Sequence, residues 1–86
     1  MEVNINDLKP SYNIIDIRDK YSYDKKHIYN STNIPVTDLL NNPSKYINKN
    51  DTYYIYCAKG ISSKKTCELL SVLGYKVVNV KGGIGE

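Results

Sequence analysis

The sequence has little of what metal centres and membrane spans require. It contains no tryptophan or phenylalanine, one histidine, one arginine and two cysteines. Cys57 and Cys67 lie ten residues apart, whereas a structural zinc site takes about four ligands in close pairs. We therefore expect no metal and no cofactor.

Long apolar stretches are also missing. No segment approaches the roughly 20 apolar residues of a membrane span, and the N-terminal MEVNINDLK lacks the apolar core of a signal peptide. We expect no membrane segment. The simplest location for two free thiols is a reducing cytoplasm.

Charge of one sign is only mildly in excess. Eleven lysines and one arginine face nine acidic residues, a net charge of +3 that is spread along the chain. A nucleic-acid surface needs a basic face with base-reading or stacking groups, so we expect no nucleic-acid binding. The nine tyrosines indicate compositional bias, with a tyrosine stacking platform as the alternative.

The remaining pattern favours a single α/β domain over residues 1–86. Short apolar or β-branched runs predict strands, with helical or polar segments between them. The predicted strands lie near Val3, at Asn13–Ile17, Thr32–Ile34, Tyr53–Tyr56 and Lys76–Val80. We expect a parallel sheet of about four to five strands with helices on both faces.

The stretch from Tyr53 to Gly74 is the most informative. A strand to Tyr56 is followed by Cys57, a six-residue loop and a predicted helix from Ser63 to Leu73. Thr66, Leu69, Leu70 and Leu73 recur at helical spacing on one face of this helix.

A thiol at that place is suited to nucleophilic chemistry. The first N–H groups of a helix have no internal partner, and a loop containing Gly60 can curl its own N–H groups toward the same point. Such a nest stabilises a thiolate, and Lys59, Lys64 and Lys65 add positive charge nearby. The competing interpretation is a small buried cysteine at a strand end.

One charged residue falls inside a predicted central strand. Asp16 must be paired or hydrogen-bonded there, and Arg18 is its nearest candidate partner. We interpret both as structural supports of the site.

Four short motifs follow one another along the chain: Ile14-Ile-Asp16-Ile-Arg18, His27-Ile28 with Asn33-Ile34-Pro35, Cys57-Ala-Lys-Gly60-Ile-Ser62-Ser63, and Gly82-Gly83-Ile84. In this order they resemble the motifs I-D-x-R, H-I-x-x-A-x-N-I-P, C-x-x-G-x-R-S (the active loop) and G-G-hydrophobic of the rhodanese (thiosulfate sulfurtransferase) family. The resemblance implies a rhodanese-like domain, here short at its C-terminus.

The resemblance implies a sulfurtransferase in which Cys57 carries sulfane sulfur as a persulfide. The donor would be a small sulfur compound such as thiosulfate or a persulfide, and the acceptor cyanide, a small thiol or a protein thiol on a sulfur carrier. The active loop would be Ala58, Lys59, Gly60, Ile61, Ser62 and Ser63. Their N–H groups would cradle the persulfide, with Ser62 and Ser63 donating hydroxyl hydrogen bonds or capping the helix.

The chain departs from the family motif at Ser62, where arginine is usual. An arginine would bind the sulfonate end of thiosulfate as a fork, whereas serine supplies one O–H and no charge. We therefore expect poor use of thiosulfate and a preference for a persulfide donor.

Three other functions remain as alternatives. A related phosphatase would need C-x5-R, with arginine where Ser63 stands. A non-catalytic rhodanese-like module that binds a partner would more often have lost the cysteine. A thiol redox sensor would use Cys57 and Cys67, but Cys67 falls near the buried stripe of the helix, where a core role is favoured.

Overall fold

A computed structural model of the chain describes residues 1–85, which form five strands and four α-helices. The strands are β1 (Glu2–Asn4), β2 (Asn13–Asp16), β3 (Ser31–Asn33), β4 (Thr52–Tyr56) and β5 (Lys76–Lys81). The helices are α1 (Lys20–Lys25), α2 (Val36–Asn41), α3 (Pro43–Tyr46) and α4 (Ile61–Val72), and a 3₁₀ turn spans Ile5–Asp7.

The strands form one parallel sheet in the order β1-β5-β4-β2-β3. This confirms the α/β prediction and its number of strands. Strand β4 is central, and Asp16 at the end of β2 stands opposite Tyr56 at the end of β4. The next residue, Cys57, therefore lies at the carboxyl edge of the sheet, where open parallel sheets place their ligands.

Apolar side chains fill both faces of the sheet. Because side chains alternate along a strand, Tyr53 and Ile55 face the larger core with Leu39 and Leu70, while Tyr56 faces a smaller cluster on the opposite side. Helices α2, α3 and α4 supply residues to the larger core.

Tyrosines take core positions that phenylalanine would otherwise fill. The hydroxyl oxygen of Tyr53 accepts a hydrogen bond from the Asn48 N–H at 3.0 Å, and that of Tyr56 accepts one from the Ile28 N–H at 3.0 Å. Burial raises the pKa of Tyr56 to about 12. The hydroxyl of each buried ring thus fixes a loop to the sheet by a hydrogen bond.

Helix α4 differs from the prediction in its start and in its buried face. It begins at Ile61, two residues before the predicted start at Ser63, because Gly60 adopts a left-handed φ of 85° that turns the chain at once. Its buried residues are Ser63, Thr66, Cys67 and Leu70. The assignment of Leu69 and Leu73 to the apolar face was wrong, since they are 55% and 54% exposed.

None of the helices in residues 1–85 has both the length and the apolar character needed to cross a bilayer.

Candidate active site

Cys57 lies between the end of β4 and the start of α4, and its side chain is buried. Only Ala58, Lys59 and Gly60 separate it from the helix, so the predicted six-residue loop is shorter. Ile61, Ser62 and Ser63 belong to the first turn of α4.

Two backbone amides and one hydroxyl surround the Cys57 sulfur. The N–H groups of Gly60 and Ser63 donate to Sγ at 3.2 and 3.3 Å, and the Ser63 Oγ lies 3.3 Å from it. Gly60 is the N-cap residue and provides no side-chain cap. The cysteine sulfur therefore occupies the position that a capping side chain normally takes, which corrects the expected capping role of Ser62 and Ser63.

The pKa values of the two cysteines are shifted in opposite directions. Burial alone would raise the pKa of Cys57, but hydrogen bonds from Ser63, Gly60 and Lys59 outweigh it and hold the pKa below the ordinary 9.0. Burial raises the pKa of Cys67 to about 12. At neutral pH Cys57 is consequently the more nucleophilic of the two thiols.

A glycine-rich segment after β5 supports the loop from behind. The N–H groups of Ile84 and Gly85 donate to the carbonyls of Cys57 and Ala58 at 3.0 and 2.9 Å. Gly83 has a φ of 62°, and a Cβ there would collide with the same two carbonyl oxygens. The close approach of the two backbones thus requires glycine.

A chain of hydrogen bonds leads from the sulfur to the edge of the sheet. The Ser63 hydroxyl, which is buried, donates to Asn79 Oδ1 at 2.5 Å. The Asn79 amide nitrogen donates in turn to Gly60 O at 3.3 Å and to Glu2 Oε2 at 3.0 Å. Asn79 is itself buried, whereas Glu2 is exposed.

An open cleft with a volume of about 660 Å³ leads to Cys57. Its wall is formed by the active loop, the start of α4 and the segment after β2: Ile17, Arg18, Asp19, Ser22, Ala58, Lys59, Ile61, Ser62 and Lys65. Ser62, Lys59 and Lys65 are exposed on this wall. Lys64 lines a second cleft on the other side of the loop, together with Glu2 and Asn79.

Asp16 and Arg18 form the expected ion pair beside the site. The Arg18 Nη2 lies 2.8 Å from Asp16 Oδ2, and the Arg18 N–H also donates to Asp16 Oδ1 at 2.8 Å. Both residues are buried, and the guanidinium carbon lies 5.8 Å from the centroid of the Tyr56 ring. The pair lies at the end of β2, and the contact of its guanidinium with the Tyr56 ring reaches the end of β4.

Sequence reasoning missed Asn79 and Glu2 as parts of the site, and it noted Gly83 only as a residue of the G-G-hydrophobic turn. Asn79 carried the clearest signal, because it is a polar residue inside the apolar run Val77–Val80. Within residues 1–85, no group of three or more His, Cys, Asp or Glu side chains is arranged to hold a metal ion.

Comparison with known proteins shows what this chain is similar to. The family model described as "Rhodanese-like domain" matches residues 2–86. A thiosulfate sulfurtransferase from Escherichia coli is 34% identical over 73 residues, which is 84% of this chain and 70% of that protein. A tRNA sulfurtransferase from Thermoplasma acidophilum is 39% identical over 57 residues, which is 66% of this chain but only 11% of that protein.

Solved structures show the same fold. A rhodanese-related protein from Thermoplasma volcanium superimposes with a TM-score of 0.85 at 34% identity, covering 96% of this chain and 85% of that one. A rhodanese-like domain protein from Staphylococcus aureus gives 0.77 at 37% identity, covering 91% and 74%.

Proposed function

The chain belongs to the rhodanese-like domain family, and we propose that it is a sulfurtransferase whose Cys57 carries sulfane sulfur as a persulfide. The observation that carries the proposal is the position of the Cys57 sulfur, which receives the N–H groups of Gly60 and Ser63 at 3.2 and 3.3 Å. These N–H groups stabilise the Cys57 thiolate before the sulfur donor binds. The relatives named as sulfurtransferases support the same reaction class.

In the first half-reaction the Cys57 thiolate attacks the outer sulfur of the donor. A bond forms between Sγ and that sulfur, while the sulfur–sulfur bond of the donor breaks. The leaving group takes the electron pair of the broken bond. It is sulfite when the donor is thiosulfate and a thiolate when the donor is a persulfide. Cys57 then carries the anionic persulfide, which the N–H groups of the active loop cradle.

In the second half-reaction a nucleophilic acceptor removes the outer sulfur. Cyanide or a thiolate attacks it, and the bond to Sγ breaks with its electron pair returning to Cys57. The thiolate is regenerated without any external oxidant or reductant.

The donor we propose is a persulfide rather than thiosulfate. Ser62 stands on the cleft wall where the family motif has arginine, so the cleft lacks a planar fork for a sulfonate at that position. Lys59 and Lys65 on the same wall supply charge without that geometry. A protein sulfur carrier is a further candidate partner, and a cytoplasmic location remains a prediction.

Steady-state kinetics test this function, with the sulfur donor varied at several fixed concentrations of the acceptor. Two half-reactions on one cysteine predict parallel double-reciprocal lines, activity that disappears in Cys57→Ser and activity that persists in Cys67→Ser. A binding module would show no turnover with either donor, and a redox sensor would need both cysteines. Either result would contradict the proposal.

A further inference from the structure

The Ser63 hydroxyl has one proton, and two neighbouring atoms can compete for it as hydrogen-bond acceptors. Its oxygen lies 2.5 Å from Asn79 Oδ1 and 3.3 Å from the Cys57 sulfur. Asn79 Oδ1 carries no hydrogen, so it can only accept. A Cys57 thiol can donate, but a Cys57 thiolate can only accept. The single hydroxyl proton therefore cannot serve both neighbours once the sulfur is ionised.

The orientation of Asn79 is fixed from its other end. Its amide nitrogen donates to Gly60 O at 3.3 Å and to Glu2 Oε2 at 3.0 Å. If the amide turned over, its oxygen would face a carbonyl oxygen and a carboxylate oxygen. The hydrogen bond from Asn79 lowers the pKa of Glu2 below the ordinary 4.5, so Glu2 is a carboxylate at neutral pH and opposes this turn.

We propose that Asn79 is a positioning residue that holds the Ser63 hydroxyl proton away from the Cys57 sulfur. While the Ser63 hydroxyl donates to Asn79, only its oxygen lone pairs face the sulfur. A Cys57 thiol can donate a hydrogen bond to them, whereas they repel a Cys57 thiolate. The backbone N–H groups of Ser63, Gly60 and Lys59 then stabilise the anion, and the hydroxyl lowers the pKa of Cys57 only when its proton points to the sulfur. Ser63 joins them only when its proton leaves Asn79, which deprives a buried acceptor of its donor.

The inference rests on the proposed role of Cys57 as the nucleophile, but its test reads acidity and not sulfur transfer. A failure of turnover would therefore leave the acidity result intact, and the reverse also holds. Charged and titratable groups surround the network on every packed element: Glu2 and the N-terminal amine by β1, Arg18 and Asp19 after β2, Lys59 in the loop, Lys64, Lys65, Cys67 and Glu68 on α4, and Lys81 on β5.

The experiment measures the alkylation rate of Cys57 by iodoacetamide against pH, with the modified residue identified by mass spectrometry. It compares wild type, Asn79→Ala, Ser63→Ala and the double variant, each shown to be folded by circular dichroism. Asn79→Ala should lower the pKa of Cys57 by about one unit, a tenfold gain in thiolate at lower pH, because the hydroxyl proton is released to the sulfur.

The double-mutant comparison isolates that proton. Ser63→Ala should change the pKa little in wild type but raise it by about one unit in the Asn79→Ala background. The proposal is overturned if Ser63→Ala raises the pKa equally in both backgrounds, or if Asn79→Ala leaves it unchanged or higher.

A second pair of variants decides the question if Asn79→Ala does not fold. Glu2→Gln removes one charge and lets the Asn79 amide turn, since glutamine both donates and accepts. Glu68→Gln removes the same charge from the wall of the cleft that Glu2 and Asn79 also line, whereas the side-chain hydrogen bonds of Asn79 join it to Ser63, Gly60 and Glu2. The pKa of Cys57 should fall further in Glu2→Gln than in Glu68→Gln, and equal shifts would overturn the proposal.

Discussion

At the scale of residues, Cys57 and Cys67 show how surroundings divide two identical side chains. Both are buried to the same degree, each 7% exposed. Both pack in the larger core, but Cys57 Sγ also receives two backbone N–H groups at the start of a helix. Burial thus dominates the acidity of Cys67, and hydrogen bonding dominates that of Cys57.

Position 62 offers a test of donor choice. We expect Ser62→Arg to raise kcat/KM for thiosulfate about ten- to a hundredfold, because one charge-assisted contact to a sulfonate contributes roughly 1.5–3 kcal/mol. Ser62 is exposed on the cleft wall, so the longer side chain has room. Turnover of a neutral persulfide donor should change much less.

The control for this prediction is Ser22→Arg, which adds the same charge elsewhere on the same cleft wall. If both variants gain equally, charge alone and not the geometry at position 62 governs thiosulfate use. An equal gain for both donors in Ser62→Arg would also contradict the account.

At the scale of elements, the buried Asp16–Arg18 pair fixes the turn that leaves β2 and places the guanidinium near the Tyr56 ring at the end of β4. Asp16→Asn should lower the free energy of unfolding by about 3–5 kcal/mol, because it removes the buried carboxylate that pairs with Arg18. The matched control is Asp24→Asn, which breaks the exposed Lys20–Asp24 pair of 2.7 Å on α1 and should have a small effect. Urea denaturation of both variants checks this, and similar losses would rule out a dominant role for the buried pair.

The loop after β5 gives a second test at this scale. Gly82→Ala should cost about 1–2 kcal/mol of unfolding free energy, since its φ of 80° is left-handed but its Cβ meets nothing within 4 Å. Gly83→Ala has the same backbone strain and also collides with the carbonyls of Cys57 and Ala58. It should cost more stability and slow sulfur transfer as well. Equal effects of both variants on stability and rate would contradict the close packing of the two loops.

Elements that depend on local pattern were predictable from the sequence. The strands β2, β4 and β5 followed from apolar runs, and the N–H groups around Cys57 followed from the order of strand, glycine-containing loop and helix. The start of α4 was misplaced because the left-handed turn at Gly60 has no unique sequence signal. The contact from Asn79 to Glu2 joins residues 77 positions apart, and only the pairing of β1 with β5 brings them together.

At the scale of the whole molecule, two buried groups should make the folded state less stable at alkaline pH. The folded pKa of Cys67 is raised from 9.0 to about 12, and that of Tyr56 from 10.0 to about 12. Stability from a raised pKa is complete below the unfolded value and is lost as pH rises toward the folded value. The free energy of unfolding should therefore fall from about pH 9 because of Cys67 and more steeply from about pH 10 because of Tyr56, by about 1.4 kcal/mol per pH unit for each group.

Denaturant titrations between pH 7 and pH 11, under reducing conditions, measure this loss. Cys67→Ala should remove the decline between pH 9 and pH 10 and leave the later decline that Tyr56 causes. A wild-type stability that stays level over that first interval, or an unchanged decline in Cys67→Ala, would contradict the assignment.

The central claim is that Cys57 carries sulfur, and intact-mass spectrometry tests it most directly. The wild-type protein, Cys57→Ser and Cys67→Ser are each exposed to a low-molecular-weight persulfide and, separately, to thiosulfate. We predict a mass gain of one sulfur atom in wild type and Cys67→Ser, reversed by cyanide or a thiol, and no gain in Cys57→Ser. A gain that persists in Cys57→Ser, or no gain in wild type with either donor, would contradict the claim.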